Sequence, residues 1–411
     1  MPGLRRLTGG LGRLGLTVLL GPPSLARAQQ PTAWTLSDVL TVALRQNPDV
    51  VAARLGVDSA RAEQAIARAL PNPSYSVIPG TPFQHTVAAS IDVGPQRIFR
   101  TQAAGRGAAA TRLTLADVTR QVRFRVRQAF YDVLLADSLR AIAAERRGIF
   151  RSLLAADSVR WRSGDVPERN VTKSELELAG AEAELSRANA QAHAARLTLQ
   201  TLLGSPAPDT GFAIAGTLAY ESVDVPLETL GPLAQQDRPD VAAAQVRVGQ
   251  SRSLRALAAA DLFPTPSVSV VHQSGVPFPN GSNYAVGVSF VVPLFYWNGG
   301  ERARAAAGVA TAEALQRSLR TQLAAELASA VDSFRVARDL AARYHGGLVA
   351  KATAALETAR FAYQSGATSQ LDLLDAVRTY SDTRANYYAA LRDYWVSIYA
   401  LDRAVGKDVV P

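Results

Sequence analysis

The 411-residue chain has no cysteine, and its only methionine is the initiator. The missing thiols exclude a disulfide framework, a thiolate zinc site, an iron–sulfur cluster, a thiol nucleophile and a lipidated N-terminal Cys. Soft thioether ligation is excluded with Met. Aromatic residues make up only 7%, sparse for a large globular core, while Ala is abundant. That mixture favours long, closely packed helices. The four histidines, His85, His193, His272 and His345, lie far apart, and none has a histidine at i+3 or i+4. No metal site is expected from this spacing. Gly204 to Gly216 lacks a P-loop lysine, and no Gly-x-Ser-x-Gly elbow occurs. The chain reads as a non-enzyme without a cofactor. Beyond the N-terminal leader there is no apolar run of ~18 residues, so no transmembrane helix is expected.

What is present begins with charge. Lys and Arg number 44 against 35 acids, a formal surplus of +9. Residues 1–28 read as a cleaved signal peptide: Arg5 and Arg6, an apolar stretch from Leu14 to Leu20, then Ala26-Arg27-Ala28 before Gln29. No acid precedes Asp38. Four arginines (Arg5, Arg6, Arg13, Arg27) leave with the leader, and the surplus falls to +5. A nucleic-acid partner then has little support. The arginine-rich stretch 120–127, with Phe124 interleaved, reads as a solvated helix face.

The chain repeats itself. Asn47-Pro48-Asp49-Val50 returns as Arg238-Pro239-Asp240-Val241, and Pro71-Asn72-Pro73-Ser74 as Pro264-Thr265-Pro266-Ser267. Ser90-Ile91-Asp92-Val93 matches Ser289-Phe290-Val291-Val292. Ser163-Gly164 matches Ser365-Gly366, and Leu203-Gly204 matches Val405-Gly406. The order is kept, and the offset drifts mainly between residues 78–86 and 271–285. A tandem duplication follows, with repeats 29–203 and 227–411 joined by a Gly/Pro/Ser/Thr-rich linker, 204–226. Each repeat predicts a helix (36–70; 227–262), two short strands (about 74–93; about 267–292), a long helix (100–162; 301–363) and a closing helix (169–203; 370–405).

At 1.5 Å per residue the longest helices reach on the order of 90 Å, which calls for coiled-coil packing. Seams support it: Leu178, Ala181, Leu185, Ala188, Ala192 and Ala195 alternate by three and four, and Tyr380, Tyr387, Tyr394 and Leu401 fall seven apart. The strands alternate instead by two. Tyr284, Val286, Val288, Phe290 and Val292 share one face, as do Val87, Ala89, Ile91 and Val93, with small or polar residues opposite. This suits a lipid-facing barrel wall. Aromatics at the strand ends (Tyr75, Phe83, Phe263, Phe278, Tyr284, Phe295, Tyr296, Trp297) would form interfacial girdles. Four strands cannot close a barrel alone, and an open edge is not tolerated in lipid, so a membrane reading demands oligomerisation. The competing class is a soluble periplasmic coiled-coil adaptor or scaffold.

This plan resembles the TolC family of outer-membrane efflux proteins. The likeness rests on Trp34-Thr35-Leu36-Ser37-Asp38-Val39-Leu40 leading to Asn47-Pro48-Asp49, and on Leu70-Pro71-Asn72-Pro73. It rests also on Ser289-Phe290-Val291-Val292-Pro293-Leu294-Phe295 with Gly299-Gly300, and on Tyr363-Gln364-Ser365-Gly366 before Leu371-Asp372-Leu373-Leu374-Asp375-Ala376. The resemblance implies a mainly α fold with a small β part. A homotrimer would form a twelve-stranded outer-membrane β-barrel above a periplasmic tunnel of coiled-coil helices. It implies the exit duct of a tripartite efflux pump or of type I secretion, docked to a periplasmic adaptor and an inner-membrane transporter. Asp372 and Asp375 match the family's acidic periplasmic aperture; on spacing alone they are equally two acids at a helix start. Tyr363 matches a tyrosine that holds the tip closed, and Asn170 falls at its partner position, which permits a Tyr–Asn hydrogen bond without charge. The turns at Ser163, Gly164 and Asp165 and at Ser365, Gly366 and Ala367 resemble adaptor-docking tips. Residues 94–107 and the short length resemble the heavy-metal branch.

Overall fold

The structure is a computed structural model describing residues 33–205 and 212–409. The expected signal peptide, 1–28, and part of the expected linker lie outside the described residues. In chain order the elements are helices α1 (Leu36–Gln46) and α2 (Pro48–Arg68), strands β1 (Ser74–Ile78) and β2 (Phe83–Ser90), and helices α3 (Pro95–Arg162) and α4 (Glu168–Leu203). Then follow helices α5 (Leu230–Asp237) and α6 (Pro239–Ala260), strands β3 (Ser267–Ser274) and β4 (Tyr284–Ser289), and helices α7 (Gly299–Arg343), α8 (Val349–Gln364) and α9 (Gln370–Val405). Among the described residues no helix is long and apolar enough to cross a membrane.

The 68 residues of α3 span about 100 Å. Three breaks depart from the sequence expectation. Helix 36–70 divides at Asn47-Pro48, and 227–262 at Arg238-Pro239, because proline pushes the residue before it out of the helical region and then restarts a helix at its first position. Asn47 caps the restart by accepting from the backbone N–H groups of Asp49 and Val50. The long helix 301–363 is interrupted by a π-helical turn, Tyr344–Leu348, where Gly347 takes φ 130°.

The two halves carry their helix ends alike. Gly204 and Gly406 end α4 and α9 in the left-handed region, φ 72° and 99°. Gly204 lies against the Gln46 carbonyl and Gly406 against that of Asp237. A Cβ at Gly204 would stand 2.4 Å from the Gln46 oxygen, and one at Gly406 2.8 Å from the Asp237 oxygen. Gly204→Ala and Gly406→Ala should each cost about 1–3 kcal/mol, from the strained φ and the backbone clash together. A thermal unfolding midpoint unchanged in both variants would show that the chain relaxes around the extra methyl.

Val39, Val122, Val126, Leu199, Phe334, Tyr394 and Leu401 make the main core, where the two halves meet. The segment after residue 212 packs onto it: Ile214 bridges Trp34, and Tyr394 Oη donates to the Glu221 carbonyl and accepts from Val223 N–H. A second cluster near the far helix ends contains Phe150, Leu153, Ala181, Leu356, Leu373 and Val377.

The four strands form one antiparallel sheet in the order β1-β2-β3-β4. Its register gathers Tyr75, Val87, Val270 and Val286 into one apolar row. Ser74, Ala88, Ser269 and Gly287 form a row on the opposite face. The expected alternation therefore holds across four strands, although β2 ends at Ser90, short of Ile91 and Val93, and β4 at Ser289, short of Phe290 and Val292. The offset drift has its cause in the turns, 79–82 in the first hairpin and 275–283 in the second. Arg97 and Arg100 anchor the helix–sheet junction by donating to the Arg68 and Ala67 carbonyls at the end of α2.

Candidate functional site

The far ends of the long helices are built from two tight turns. Gly164 and Gly366 adopt φ 83° and 75°, which only glycine takes without strain. Asp165 N–H donates to the Arg160 carbonyl, and Ala367 N–H to that of Ala362, closing both helices with the same six-to-one bond. Ser163 and Ser365 donate to carbonyls of the last turn, and Ser163 also to Asp165. All six expected tip residues, Ser163, Gly164, Asp165, Ser365, Gly366 and Ala367, are exposed. Val159, Trp161 and Phe361 expose apolar surface beside them.

Behind the turns lies a buried polar knot that the sequence alone did not disclose. Asp157 of α3 is wholly buried. Its carboxylate accepts from Tyr363 Oη of α8, from Ser174 Oγ of α4, and from Gln370 Nε2 of α9 at 3.0 Å. Gln370 Nε2 also reaches the Asn170 carbonyl and Ser174 Oγ, at 2.9 and 2.8 Å. Four helices are tied through one carboxylate. Burial, and then the Asp157 carboxylate, push the Tyr363 hydroxyl up to about 12, so it stays a donor. The Arg160 guanidinium sits 5.3 Å from the Tyr363 ring centre. The hydrogen bond of Tyr363 Oη goes to Asp157, a charged partner, and Asn170 enters the knot through its carbonyl, which accepts from Gln370.

Asp372 and Asp375 are both exposed on α9. Asp372 is the third residue of a capping box: Ser369 Oγ and Thr368 Oγ1 each donate to its carboxylate at 2.7 Å, and Ser369 accepts from Asp372 N–H. Those side-chain bonds hold the Asp372 carboxyl below its ordinary value. Within one protomer the helix-start role is thus realised, and it leaves Asp375 facing outward one turn on.

The arginine run on α3 is a solvated face only in part: Arg123 and Arg125 stay substantially exposed, and the others do not. Arg127 pairs with Asp402 and Asp408 at 2.8 and 3.0 Å, Arg125 with Asp49 at 2.8 Å, and Arg120 with Asp117 at 2.6 Å. Arg120 and Arg127 are largely buried. The run ties α3 to α9 and to the chain end.

A last feature is what each layer leaves open. In the sheet, β1 and β4 are unpaired edges. In the helical layer next to it, contacts run α2–α3–α6–α7, so α2 and α7 are open. Toward the tips they run α4–α3–α9–α8, leaving α4 and α8 open. Every layer exposes one edge from each half of the chain. Such an edge pair is heterologous, and copies that join through it build a ring where the rotation closes and an open helical array where it does not.

A long helical body carrying a four-stranded antiparallel sheet is the architecture that the comparisons address. Residues 230–407 match the family of outer membrane efflux proteins. The cobalt-zinc-cadmium resistance protein CzcC of Cupriavidus metallidurans is 26% identical over 96% of this chain and 98% of its own. The fold is that of the CmeC outer membrane channel of Campylobacter jejuni, with TM-score 0.79, 16% identity and coverage of 90% and 85% of the two chains. It is also that of the outer membrane protein VceC of Vibrio cholerae, with TM-score 0.75, 18% identity and coverage of 91% and 96%. The likeness to outer membrane efflux proteins covers residues 230–407, and the likeness to CzcC and to these two solved folds runs nearly end to end.

Proposed function

We propose that three copies of this chain form the duct of a tripartite pump that exports divalent transition cations. A periplasmic adaptor would meet the tips, and an inner-membrane transporter would supply the energy. The observation that carries the duct reading is the set of open edges: β1 with β4, α2 with α7, and α4 with α8 of a neighbouring copy. Three protomers bring twelve strands, which closes the sheet without an edge in lipid. The cation assignment rests on the end-to-end likeness to a cobalt-zinc-cadmium resistance protein. The chain would reach the outer membrane through a cleaved leader, residues 1–28.

Purified trimer in a planar bilayer should conduct, and deletion of the gene should lower tolerance to zinc, cobalt or cadmium. A conducting trimer with unchanged metal tolerance but a lost secreted protein would favour type I secretion. Recovery as a soluble periplasmic monomer would favour the adaptor or scaffold reading.

In the trimer Asp372 and Asp375 would form two stacked carboxylate rings at the tip aperture, which favours cations. Asp372→Ala with Asp375→Ala should reduce cation selectivity and relieve block by multivalent cations. The Thr368 and Ser369 hydrogen bonds favour the charged form of Asp372, so that ring's contribution should persist as pH falls from 7 to about 5. Reversal potentials in asymmetric salt measure both effects. Unchanged selectivity in the double variant would place the aperture elsewhere.

A further inference from the structure

Two of the four histidines, 187 positions apart in the sequence, are direct cross-strand partners. His85 of β2 faces His272 of β3 in the sheet register, with ring centres 5.9 Å apart and planes inclined at 33°. Both belong to the apolar face, in line with Val77 and Tyr284. They lie at the end of the sheet remote from the helices, two residues from the turns that close the hairpins. Both are half-buried. Tyr75 Oη is hydrogen-bonded to His85 Nδ1 at 2.7 Å, and the Tyr284 ring packs 4.7 Å from that of His272.

We infer that His85 and His272 form a two-imidazole site for a divalent transition cation on the outer wall of each protomer. The spacing permits it. With a metal–nitrogen distance of about 2.1 Å, each ring centre sits about 3.2 Å from a shared ion, so two such rings stand about 4.5–6.4 Å apart as the angle at the ion opens. The observed separation falls inside that range. The tautomer in which His85 Nδ1–H donates to Tyr75 Oη leaves the Nε2 lone pair free, the arrangement by which an outer hydroxyl orients a ligating imidazole. Borderline-soft imidazole nitrogens select copper, nickel and zinc over magnesium and calcium. Among the described residues no group of three or more His, Cys, Asp and Glu could hold a metal. The site therefore has two protein ligands, with water in the remaining positions, and exchanges its ion readily.

Its position gives it a mechanical consequence. Within one protomer the hairpin of the first half meets that of the second only between β2 and β3. An ion held by His85 and His272 would staple the two hairpins at the exit end, outside the conducting path. The metal chemistry stands on the register and ring geometry; only its placement at the outer lipid interface rests on the barrel reading, which bilayer conductance tests separately.

The probe is Cu(II), which binds imidazole tightest of the divalent series, titrated into detergent-purified full-length protein. Wild type should take up one equivalent per protomer with two nitrogens in its electron paramagnetic resonance spectrum, and its thermal midpoint should rise. Tyr75→Phe, which removes the outer-shell partner, should weaken binding by about tenfold. His85→Ala and His272→Ala should each weaken it further and abolish the thermal shift. His193→Ala, on exposed α4, should change nothing. Cu(II) affinity that is the same in wild type and both histidine variants, or that falls only with His193→Ala, would overturn the site and leave the pair as part of an aromatic girdle alone.

Discussion

Replacing Asp157 with Ala should turn a closed duct into a leaking one. The carboxylate holds Tyr363, Ser174 and Gln370 together, and its removal takes the acceptor from the Tyr363 and Ser174 hydroxyls, while Gln370 keeps the Asn170 carbonyl and Ser174 Oγ. A hydrogen bond to a charged group is worth about 1.5–3 kcal/mol, so losing even one per protomer in the proposed trimer, opening in concert, shifts the balance by about 4.5–9 kcal/mol. About 5.5 kcal/mol suffices to take a two-state gate from 1:99 to 99:1. Tyr363→Phe deletes a single hydroxyl and leaves Asp157 bonded to Ser174 and Gln370, so it should open the tip less far. Single-channel conductance, together with uptake of a large antibiotic that intact outer membrane excludes, reads the effect. If Asp157→Ala assembles normally and conducts as wild type does, the knot binds helices together without gating them.

Much of this architecture is legible because its causes are local. The positive-φ glycines at 164 and 366 mark both tips, and apolar residues at every second position place Tyr75, Val87, Val270 and Val286 on one face. The helix breaks were local too: Pro48 and Pro239 each restart a helix, and Gly346-Gly347 sits at the π turn, yet a heptad reading runs through all three. The polar knot is different. Asp157 lies in the last two turns of a charged helix, where an acid ordinarily faces water, and its partner Tyr363 is 206 residues away. Counting from Gly164 reaches Asn170, whose carbonyl joins the knot through Gln370, but nothing local marks Asp157. Arg127 misleads in the same way, because its partners Asp402 and Asp408 lie 275 and 281 residues downstream. Long-range charge pairing decides burial here, and periodicity does not record it.

The divergence of the two halves yields the second large effect. Asn47 and Arg238 occupy matching places: each is almost fully buried, and each donates to a carbonyl near the end of the closing helix, Leu202 or Ala404. The first is neutral. The second carries a charge that burial disfavours, but Asp240 and Glu326 outweigh the burial and hold the guanidinium above its ordinary value. Arg238 grips Asp240 with two parallel bonds, at 3.0 and 2.6 Å, and Glu326 at 2.7 Å. Arg238→Ala should therefore destabilise the fold by about 3–5 kcal/mol, because it leaves two part-buried carboxylates short of their cation. Asn47→Ala loses one cap and one carbonyl bond and should cost about 1–2 kcal/mol. Arg238→Asn restores the first half's residue but not the charge, and falls between them; adding Glu326→Gln should recover part of the loss. Burial alone would raise the Asp240 pKa, yet its bonds to Arg238 depress it, so the pair's contribution is present above the unfolded value and fades as acid protonates the carboxylate. Wild type and Arg238→Ala should differ most above about pH 4 and converge below it. Urea unfolding across that range is the measurement, and a difference under about 1 kcal/mol at pH 7 would mean that Arg120 and Arg403, which also face these acids, carry the charge balance instead.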